Sequence, residues 1–243
     1  MMLTFNAKKL NLTPGDRVLD LGCGQGRHGH ALYKEQDLKV YCLELNLQEL
    51  KQARSGFKLL EAENKAQNPG GYLLLQGNCL QLPFDPASLQ AVICCEVLEH
   101  LQNYHQALLE IRRVLKPGGL LVLSVPRFGP ERICWALSKE YQLDPGGHLR
   151  IFQAKSLRLE IQRLGFEMFA KHWAHALHSP YWWLKCLKWE KRDSWPVIKL
   201  YHRFLVWDLL KAPALSRGLE RILNPVIGKS IVFYFRKQHN SHW

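Results

Sequence analysis

Three glycines at alternate positions follow a carboxylate near the start of the chain. Gly22, Gly24 and Gly26 come soon after Asp20, and Glu44 ends the next apolar run. Glycines let the backbone turn sharply from a strand into a helix and leave room for a ligand against the turn. A carboxylate at the end of the next strand is placed to accept hydrogen bonds from ribose hydroxyls. These residues predict a binding site for a ligand that contains a nucleoside.

The glycine turn admits two interpretations. The glycine spacing over residues 24–29 also matches the fingerprint of dinucleotide binding, which predicts a nicotinamide or flavin oxidoreductase. Asp20 disfavours that interpretation, because a carboxylate repels a neighbouring pyrophosphate. A Gly-Asn-Cys step at residues 77–79 and a Lys-Pro-Gly-Gly turn at residues 116–119 favour a different nucleoside cofactor.

A second group of polar side chains follows the fourth apolar run. Glu96, Glu99 and His100 are expected at the start of a helix, where spacings of three and four residues put them on one face. Two carboxylates and an imidazole predict a site for Mg²⁺ or another divalent cation, and Glu96 and His100 are also candidate catalytic residues. His148 is expected to arrive from a later loop as a further ligand or a general base. The alternative is that Glu99 and His100 only support the helix start, with no metal.

These side chains need strands that end at one edge of a sheet. Apolar runs predict strands at residues 17–21, 39–43, 72–75, 91–95, 120–125, 166–172 and 231–235. Helices are expected at residues 27–34, 48–64 and 154–164 and between the fourth and fifth strands, with a turn at residues 68–71. The alternation predicts a doubly wound, Rossmann-like α/β fold with a seven-stranded, mostly parallel sheet. His28 and His30, on the first helix, are expected at the surface.

A long segment separates the last two predicted strands. Residues 174–229 are expected to form a helical insertion, with helices near residues 181–189 and 196–210, while residues 1–173 and 230–237 form the core. Residues 151–243 carry 16 Lys and Arg against 6 Asp and Glu, which is +10 of the net charge of +12, and seven of the eight tryptophans. The insertion is therefore predicted to be a substrate cap or a membrane-surface element with an anionic partner.

The charged side chains of this segment suggest its binding partner, and its histidines suggest polar contacts within the protein. An anionic membrane is expected to meet the cations Lys185, Lys188, Lys191 and Arg192. A nucleic acid is the rival partner, since bases stack on aromatic rings and phosphates attract Lys and Arg. The histidines at positions 172, 175 and 178 are expected to make polar contacts rather than to bind a metal.

Composition limits the class of protein. With 243 residues and 47% hydrophobic content, the chain can bury a sizeable core, which excludes a disordered protein. Its seven cysteines are odd in number and show no CxxC spacing, which predicts reduced thiols. No apolar run is long enough for a signal peptide or a bilayer span. We expect a cytoplasmic protein, free or peripheral at the inner membrane face.

The ordered set of segments resembles the motifs of class I S-adenosylmethionine-dependent methyltransferases, the type 11 group. The matching segments are residues 18–26, Glu44, residues 77–84, residues 97–100 and residues 115–120, and the resemblance spans about residues 10–172. The run at residues 96–100 is similar to that of the ubiquinone-pathway O-methyltransferases. The resemblance implies cofactor contacts from Asp20, Gly22, Cys23, Gly24, Gly26, Glu44, Leu45, Asn78, Cys79 and Leu80.

Each implied contact has a chemical rationale. Asp20 and the glycine-turn amides would hold the methionine part, because the cofactor carries a sulfonium cation and an ammonium group but no phosphate. Glu44 would bind both ribose hydroxyls, and Leu45 would pack on adenine. Asn78, where aspartate is the commoner residue, would read the adenine edge together with the Cys79 amide. The implied activity is methyl transfer, with O-methylation of a small amphipathic, sugar or lipid-linked acceptor preferred and an RNA methyltransferase as the alternative.

Overall fold

A seven-stranded sheet forms the centre of the protein. The computed structural model describes residues 3–35, 37–64, 70–144, 146–211 and 213–239. The strands are β1 Arg17–Leu21, β2 Lys39–Glu44, β3 Tyr72–Gln76, β4 Leu89–Cys95, β5 Leu115–Pro126, β6 Phe166–Ala174 and β7 Ser230–Lys237. Their order is β3-β2-β1-β4-β5-β7-β6. β7 runs antiparallel to β5 and β6, and the other neighbours are parallel, so the predicted mostly parallel sheet is confirmed.

Helices cover both faces of the sheet. They are α1 Arg27–Glu35, α2 Leu47–Asn64, α3 Tyr104–Val114, α4 Phe128–Leu137, α5 Lys139–Gln142, α6 Ala154–Arg163, α7 His178–Leu187, α8 Pro196–Lys211 and α9 Ala214–Ile227. Apolar side chains of α3 and α6 pack on one face, and those of α1 and α2 pack on the other. The central strands β4 and β5 are buried on both faces, which explains why their sequences are continuous apolar runs rather than alternating ones.

Several local predictions need correction. The Lys-Pro-Gly-Gly segment is not a turn before the fifth strand, because β5 begins at Leu115 and the segment forms an irregularity in its pairing with β4. Three helices, α4, α5 and α9, were not predicted. The sixth strand continues to Ala174, where the insertion was expected to begin. Residues 68 and 69 of the expected turn at 68–71 lie outside the described part of the chain.

The prediction that His28 and His30 lie at the surface is wrong. Their exposed fractions are 6% and 7%. The His30 ring packs against Phe57, with 4.4 Å between ring centroids, and its Nε2 lies 2.8 Å from the Ala53 carbonyl oxygen. A Cβ atom at Gly56 would lie 2.2 Å from this ring, so the missing side chain makes the space that the imidazole occupies.

Gly29 allows α1 to pack closely against the sheet, and its replacement tests that packing. A Cβ atom at Gly29 would lie 2.4 Å from Cys42 Sγ and 3.3 Å from Phe57. We expect Gly29→Ala to lower the free energy of unfolding by roughly 1–3 kcal/mol, because overpacking a dense core forces its neighbours to move. The midpoint of urea unfolding measures this change.

Gly218→Ala is the matched control. Gly218 also lies inside a helix, α9, but apart from its chain neighbours and the nearby helix backbone no atom of the described residues lies within 4 Å of the position that its Cβ would take. Alanine should leave the free energy of unfolding unchanged or raise it by up to about 1 kcal/mol through helix propensity. Equal midpoints for Gly29→Ala and the wild type would contradict the close packing of α1.

Candidate functional site

A cleft of about 1160 Å³ lies at the carboxyl ends of β1, β2, β3 and β4. This is the edge at which open α/β sheets bind ligands. Its walls include Gly22, Gly24, Glu44, Leu45, Asn46, Glu49, Asn78, Cys79, Glu96, His100 and His148. The structure therefore brings together most of the residues selected from the sequence, and adds Asn46 and Glu49.

The Glu44 carboxylate spans the glycine turn and the end of β2. Its Oε2 accepts a hydrogen bond from the Gly24 amide at 2.9 Å, and its Oε1 accepts one from the Asn46 amide at 2.9 Å. Each oxygen keeps a further lone pair that can accept a hydroxyl donor. Glu44 is thus already oriented at the cleft wall, where the ribose contact was predicted.

The turn itself is fixed from within the protein. Gly22, Gly24 and Gly26 have φ values of 65°, 52° and 83°, which are readily adopted only by glycine. The amides of Gly22 and Cys23 both donate to the Leu43 carbonyl oxygen, at 2.8 and 3.1 Å. The turn amides predicted to hold the cofactor therefore have protein acceptors in this structure.

Four predicted cofactor residues do not line the cleft: Asp20, Cys23, Gly26 and Leu80. Asp20 is only 1% exposed and lies beneath the turn, where its Oδ2 accepts a hydrogen bond from the Gly29 amide at 2.9 Å. Its Oδ1 lies 3.8 Å from His28 Nδ1. A direct contact between Asp20 and a cofactor stays a prediction, whereas its contact with the start of α1 is visible.

The predicted adenine side of the cleft is open. Leu45 is 68% exposed and can offer its side chain to a planar ring. Asn78 Oδ1 accepts a hydrogen bond from the Leu80 amide at 2.9 Å, which shapes the loop after β3. The neighbouring thiol is half-buried, and burial raises the pKa of Cys79.

The expectation that Glu96, Glu99 and His100 share one helix face is wrong. Glu96 has a left-handed backbone with φ of 57°, and residues Leu98–His100 form a single 3-10 turn. The helix begins later, at Tyr104, where the Asn103 side chain accepts a hydrogen bond from the Gln106 amide. Glu96 instead accepts a hydrogen bond from Ser124 Oγ at 2.7 Å. Glu96 is therefore positioned separately from Glu99 and His100, which share the 3-10 turn.

Glu99 and His100 differ in their burial and in their hydrogen bonds. Glu99 is fully buried, and within the described residues neither of its carboxylate oxygens has a hydrogen-bond partner. Burial and the neighbouring Glu96 charge raise the pKa of Glu99 well above its usual value. His100 Nδ1 lies 3.2 Å from the Gly147 carbonyl oxygen, and burial together with His148 lowers the pKa of His100.

His148 is held by a glutamate that sequence reasoning missed. His148 Nδ1 lies 2.6 Å from Oε1 of Glu131, a residue of α4 that is only 2% exposed. The Tyr141 hydroxyl donates to the same oxygen at 2.9 Å. Burial acts to raise the pKa of Glu131, but the hydrogen bond and charge of His148 outweigh it, so the pKa is lowered overall. An ionised Glu131 therefore orients the His148 ring, which lines the cleft.

One ligand atom each from Glu99, His100 and His148 lies within 4.8 Å of the others. This differs from the predicted metal set of Glu96, Glu99 and His100, because Glu96 turns toward Ser124 and does not belong to the group. Two imidazoles and a buried carboxylate without a partner are a donor set that a divalent cation accepts.

Comparison with known families decides between the two interpretations of the glycine turn. Residues 19–123 match the family model described as a methyltransferase domain. The chain is therefore similar to S-adenosylmethionine-dependent methyltransferases. S-adenosylmethionine is the cofactor of this family, so the dinucleotide interpretation is not retained.

Known relatives of the methyltransferase domain act on different atoms. The chain is 29% identical to a sterol 24-C-methyltransferase of Clavispora lusitaniae over 147 residues, which cover 60% of this chain and 35% of that protein. It is 30% identical to the O-methyltransferase rstn1 of Aspergillus nomiae over 117 residues, 48% of this chain and 49% of that protein. The chain thus spans half or less of the length of these curated relatives.

A solved structure supports the fold around the methyltransferase domain. The crystal structure of a candidate methyltransferase from Bacillus halodurans covers 95% of this chain and 96% of its own, with a TM-score of 0.62 and 22% identity. At that identity the likeness shows the fold alone.

Glu44→Gln tests the cofactor position. We expect calorimetry to show binding of S-adenosylmethionine and S-adenosylhomocysteine, and the variant to bind each at least tenfold more weakly. A hydrogen bond to a charged group contributes about 1.5–3 kcal/mol, and two such bonds to ribose lose their charged acceptor. Glu167→Gln, on the exposed face of β6, is the matched control and should bind as the wild type does. Unchanged affinity in Glu44→Gln would exclude the ribose contact.

Proposed function

We propose that the protein transfers the methyl group of S-adenosylmethionine to a hydroxyl oxygen of a small amphipathic, sugar or lipid-linked acceptor. The observation that supports this proposal is the imidazole of His148, which lies in the cleft wall and is oriented by the buried Glu131 carboxylate. Transfer to a hydroxyl needs a group that removes its proton, and an imidazole that is oriented by a carboxylate can accept that proton.

Different residues of the chain are proposed to bind the cofactor and to accept the proton. When bound, S-adenosylmethionine supplies an electrophilic methyl carbon on a sulfonium sulfur. Glu44 and Asn78 hold the nucleoside part, which aligns that carbon with the acceptor oxygen. With Nδ1 donating to Glu131, His148 Nε2 accepts the hydroxyl proton as the oxygen–carbon bond forms and the carbon–sulfur bond breaks. The ionised Glu131 stabilises the imidazolium that results.

A cation is the second way in which the same residues could ionise the hydroxyl. Glu99, His100 and His148 would hold Mg²⁺ or Mn²⁺, and the bound ion would lower the pKa of a coordinated acceptor hydroxyl. The buried Glu99 carboxylate without a hydrogen-bond partner favours this possibility, since a paired cation would offset its burial. In that case Glu131 acts by orienting His148 as a ligand.

The insertion is proposed to act as a substrate cap. The rings of Trp182 and Trp189 contact Tyr141, with centroid distances of 5.9 and 5.4 Å, and Tyr141 donates to Glu131. Trp183 Nε1 donates to the Pro130 carbonyl oxygen at 3.0 Å, which joins α7 to α4. Residues 174–229 thus support the helix that carries Glu131, and an acceptor held by the insertion would lie near the catalytic pair.

Glu131→Gln tests the role of the histidine pair. We expect kcat to fall by roughly 10²–10⁴-fold, because the amide keeps the size of the side chain but removes the charge that stabilises a protonated His148. Cofactor affinity should be unchanged, since Glu131 lies outside the nucleoside side of the cleft. The acceptor for this assay comes from cell extracts screened with methyl-labelled cofactor, and NMR of the product identifies the methylated atom. Glu190→Gln, which changes an exposed glutamate of the insertion, is the matched control for Glu131→Gln and should keep the wild-type kcat.

Two further measurements separate the alternatives. Activity that survives EDTA favours His148 as the base, whereas loss on chelation with recovery in Mg²⁺ or Mn²⁺ favours the cation. A product methylated on carbon, or an RNA product, would overturn the proposed O-methylation; sterol C-methyltransferases among the relatives make carbon the main rival.

An apolar helix face is the proposed contact with an anionic membrane. Leu215, Leu219, Ile222 and Val226 recur at helical spacing on α9 and are 86%, 46%, 73% and 68% exposed. Exposed cations also lie on α8 and α9: Lys199, Arg203, Lys211, Arg217 and Arg221. Apolar side chains beside basic ones are typical of helices that bind anionic bilayers in the plane of the interface. Among the described residues, no helix has the length and apolar content to cross a bilayer.

Two of the four cations expected to meet a membrane, Lys185 and Arg192, make other contacts. Lys185 lies 3.7 Å from Asp193 and 5.2 Å from the centre of the Trp182 ring. Arg192 stacks 4.2 Å from the centre of the Trp189 ring. These contacts are internal to the insertion, so the membrane proposal rests on α9 instead.

Leu219→Ser with Ile222→Ser tests this face. The double variant should lose binding to vesicles of phosphatidylcholine and phosphatidylglycerol, whereas the wild type should sediment with them and less with phosphatidylcholine alone. Salt should weaken binding, because charge attraction is screened beyond about 10 Å at 0.1 M. Leu59→Ser, at a site on α2 that is 66% exposed, is the control. The face would instead bind a second copy of the chain if the wild type does not bind vesicles and is dimeric while the double variant is monomeric.

A further inference from the structure

A second cavity, of about 530 Å³, lies among the helices of the insertion. Side chains from α7, α8 and α9 line it, and of the described residues none lines both this cavity and the cleft. His178, His202, Asp208 and Glu220 give its wall two imidazoles and two carboxylates.

Two of these side chains, His178 and Glu220, lie close to His175, which does not line the cavity. One ligand atom each from His175, His178 and Glu220 lies within 4.8 Å of the others. His175 is only 8% exposed, and its Nε2 lies 3.2 Å from Thr4 Oγ1. His178 Nδ1 is buried and, within the described part of the chain, has no hydrogen-bond partner. A buried ring nitrogen without a partner is costly unless a ligand completes it.

The backbone holds His175 in an unfavourable conformation. His175 has φ of 66°, a left-handed value that favours glycine, directly after the end of β6. The turn that follows is closed by a hydrogen bond from the His178 amide to the His175 carbonyl oxygen at 3.0 Å. Strained residues of this kind cluster at sites with a function. The turn brings both imidazoles to one place.

α9 brings the carboxylate to the same place. Asn224 Oδ1 accepts a hydrogen bond from the Ala176 amide at 3.0 Å, and Ser179 Oγ donates to the Ile227 carbonyl oxygen at 2.6 Å. These bonds fix α9, and with it Glu220, against the segment that carries the histidines. The group is therefore organised by the fold rather than by chance contact of flexible side chains.

We propose that His175, His178 and Glu220 bind a Zn²⁺ ion that joins α7 and α9 to the end of β6. Two imidazoles and one glutamate are a recognised zinc ligand set that leaves a fourth position for water or a further ligand. The sequence-based expectation of polar contacts holds for His172, whose Nε2 lies 3.2 Å from the Thr4 carbonyl oxygen.

Titration of the metal-free full-length protein with Co²⁺ and Zn²⁺ tests this site. All variants carry His100→Ala, which removes a ligand of the separate Glu99, His100 and His148 group. We expect one equivalent of Co²⁺ with the visible absorption of a four-coordinate ion, displaced by Zn²⁺, and a rise in melting temperature with Zn²⁺. His178→Ala and Glu220→Gln should each weaken binding at least tenfold.

Two controls keep the result interpretable. His202→Ala, in the same cavity but outside the ligand group, should bind as its parent does. His178→Cys, which restores a zinc ligand, should recover binding if His178→Ala loses it through the missing ligand rather than through misfolding. Binding that is equal in His178→Ala and its parent, or no equivalent in the parent, would overturn the proposal. Neither outcome bears on the proposed methyl transfer, which uses other residues.

Discussion

The hydrogen bond between the Gly29 amide and the buried Asp20 carboxylate is the contact on which the cleft depends. It ties the end of β1 to the first turn of α1 at 2.9 Å, while the Glu44 carboxylate ties Gly24 to β2. The turn between these two contacts contains glycines with left-handed backbone conformations, and its amides donate hydrogen bonds to acceptors within the protein. Its shape is therefore set before any ligand binds, and the carboxyl ends of the neighbouring strands present Leu45, Asn78 and Glu96 at fixed positions around it.

Two buried glutamates near the end of β4 respond in opposite ways to the same burial. Glu99 has no hydrogen-bond partner among the described residues and its pKa is raised, whereas Glu131 has His148 and Tyr141 and its pKa is lowered. A partner, rather than depth, decides which carboxylate is ionised. The site thus holds one carboxylate that supports a positive charge on His148 and one that gains from a cation or a proton.

The sequence was informative where a signal is local. Continuous apolar runs located all seven strands, and the glycine turn with Glu44 located the cleft. It was not informative where a contact between distant residues sets the structure. Glu131 contacts His148, which is 17 residues away in the sequence, and lies on a helix that was not predicted. The left-handed backbone of Glu96 interrupts the helical spacing expected for residues 96–100. The glycines at positions 26 and 56 leave the space in which His30 is buried, although the sequence placed this histidine at the surface. No periodicity carries such information.

The division between matched and unmatched sequence limits what the family can say about the acceptor. The family match ends at residue 123, before α4, His148 and the whole insertion. Relatives that methylate carbon and relatives that methylate oxygen share with this chain only segments of 147 and 117 residues. The matched part contains the glycine turn, Glu44 and Asn78, which are proposed to bind the cofactor, together with Glu99 and His100. We propose that the choice of acceptor atom depends on later residues, where Glu131 contacts His148 and the tryptophans of α7 contact Tyr141 and Pro130.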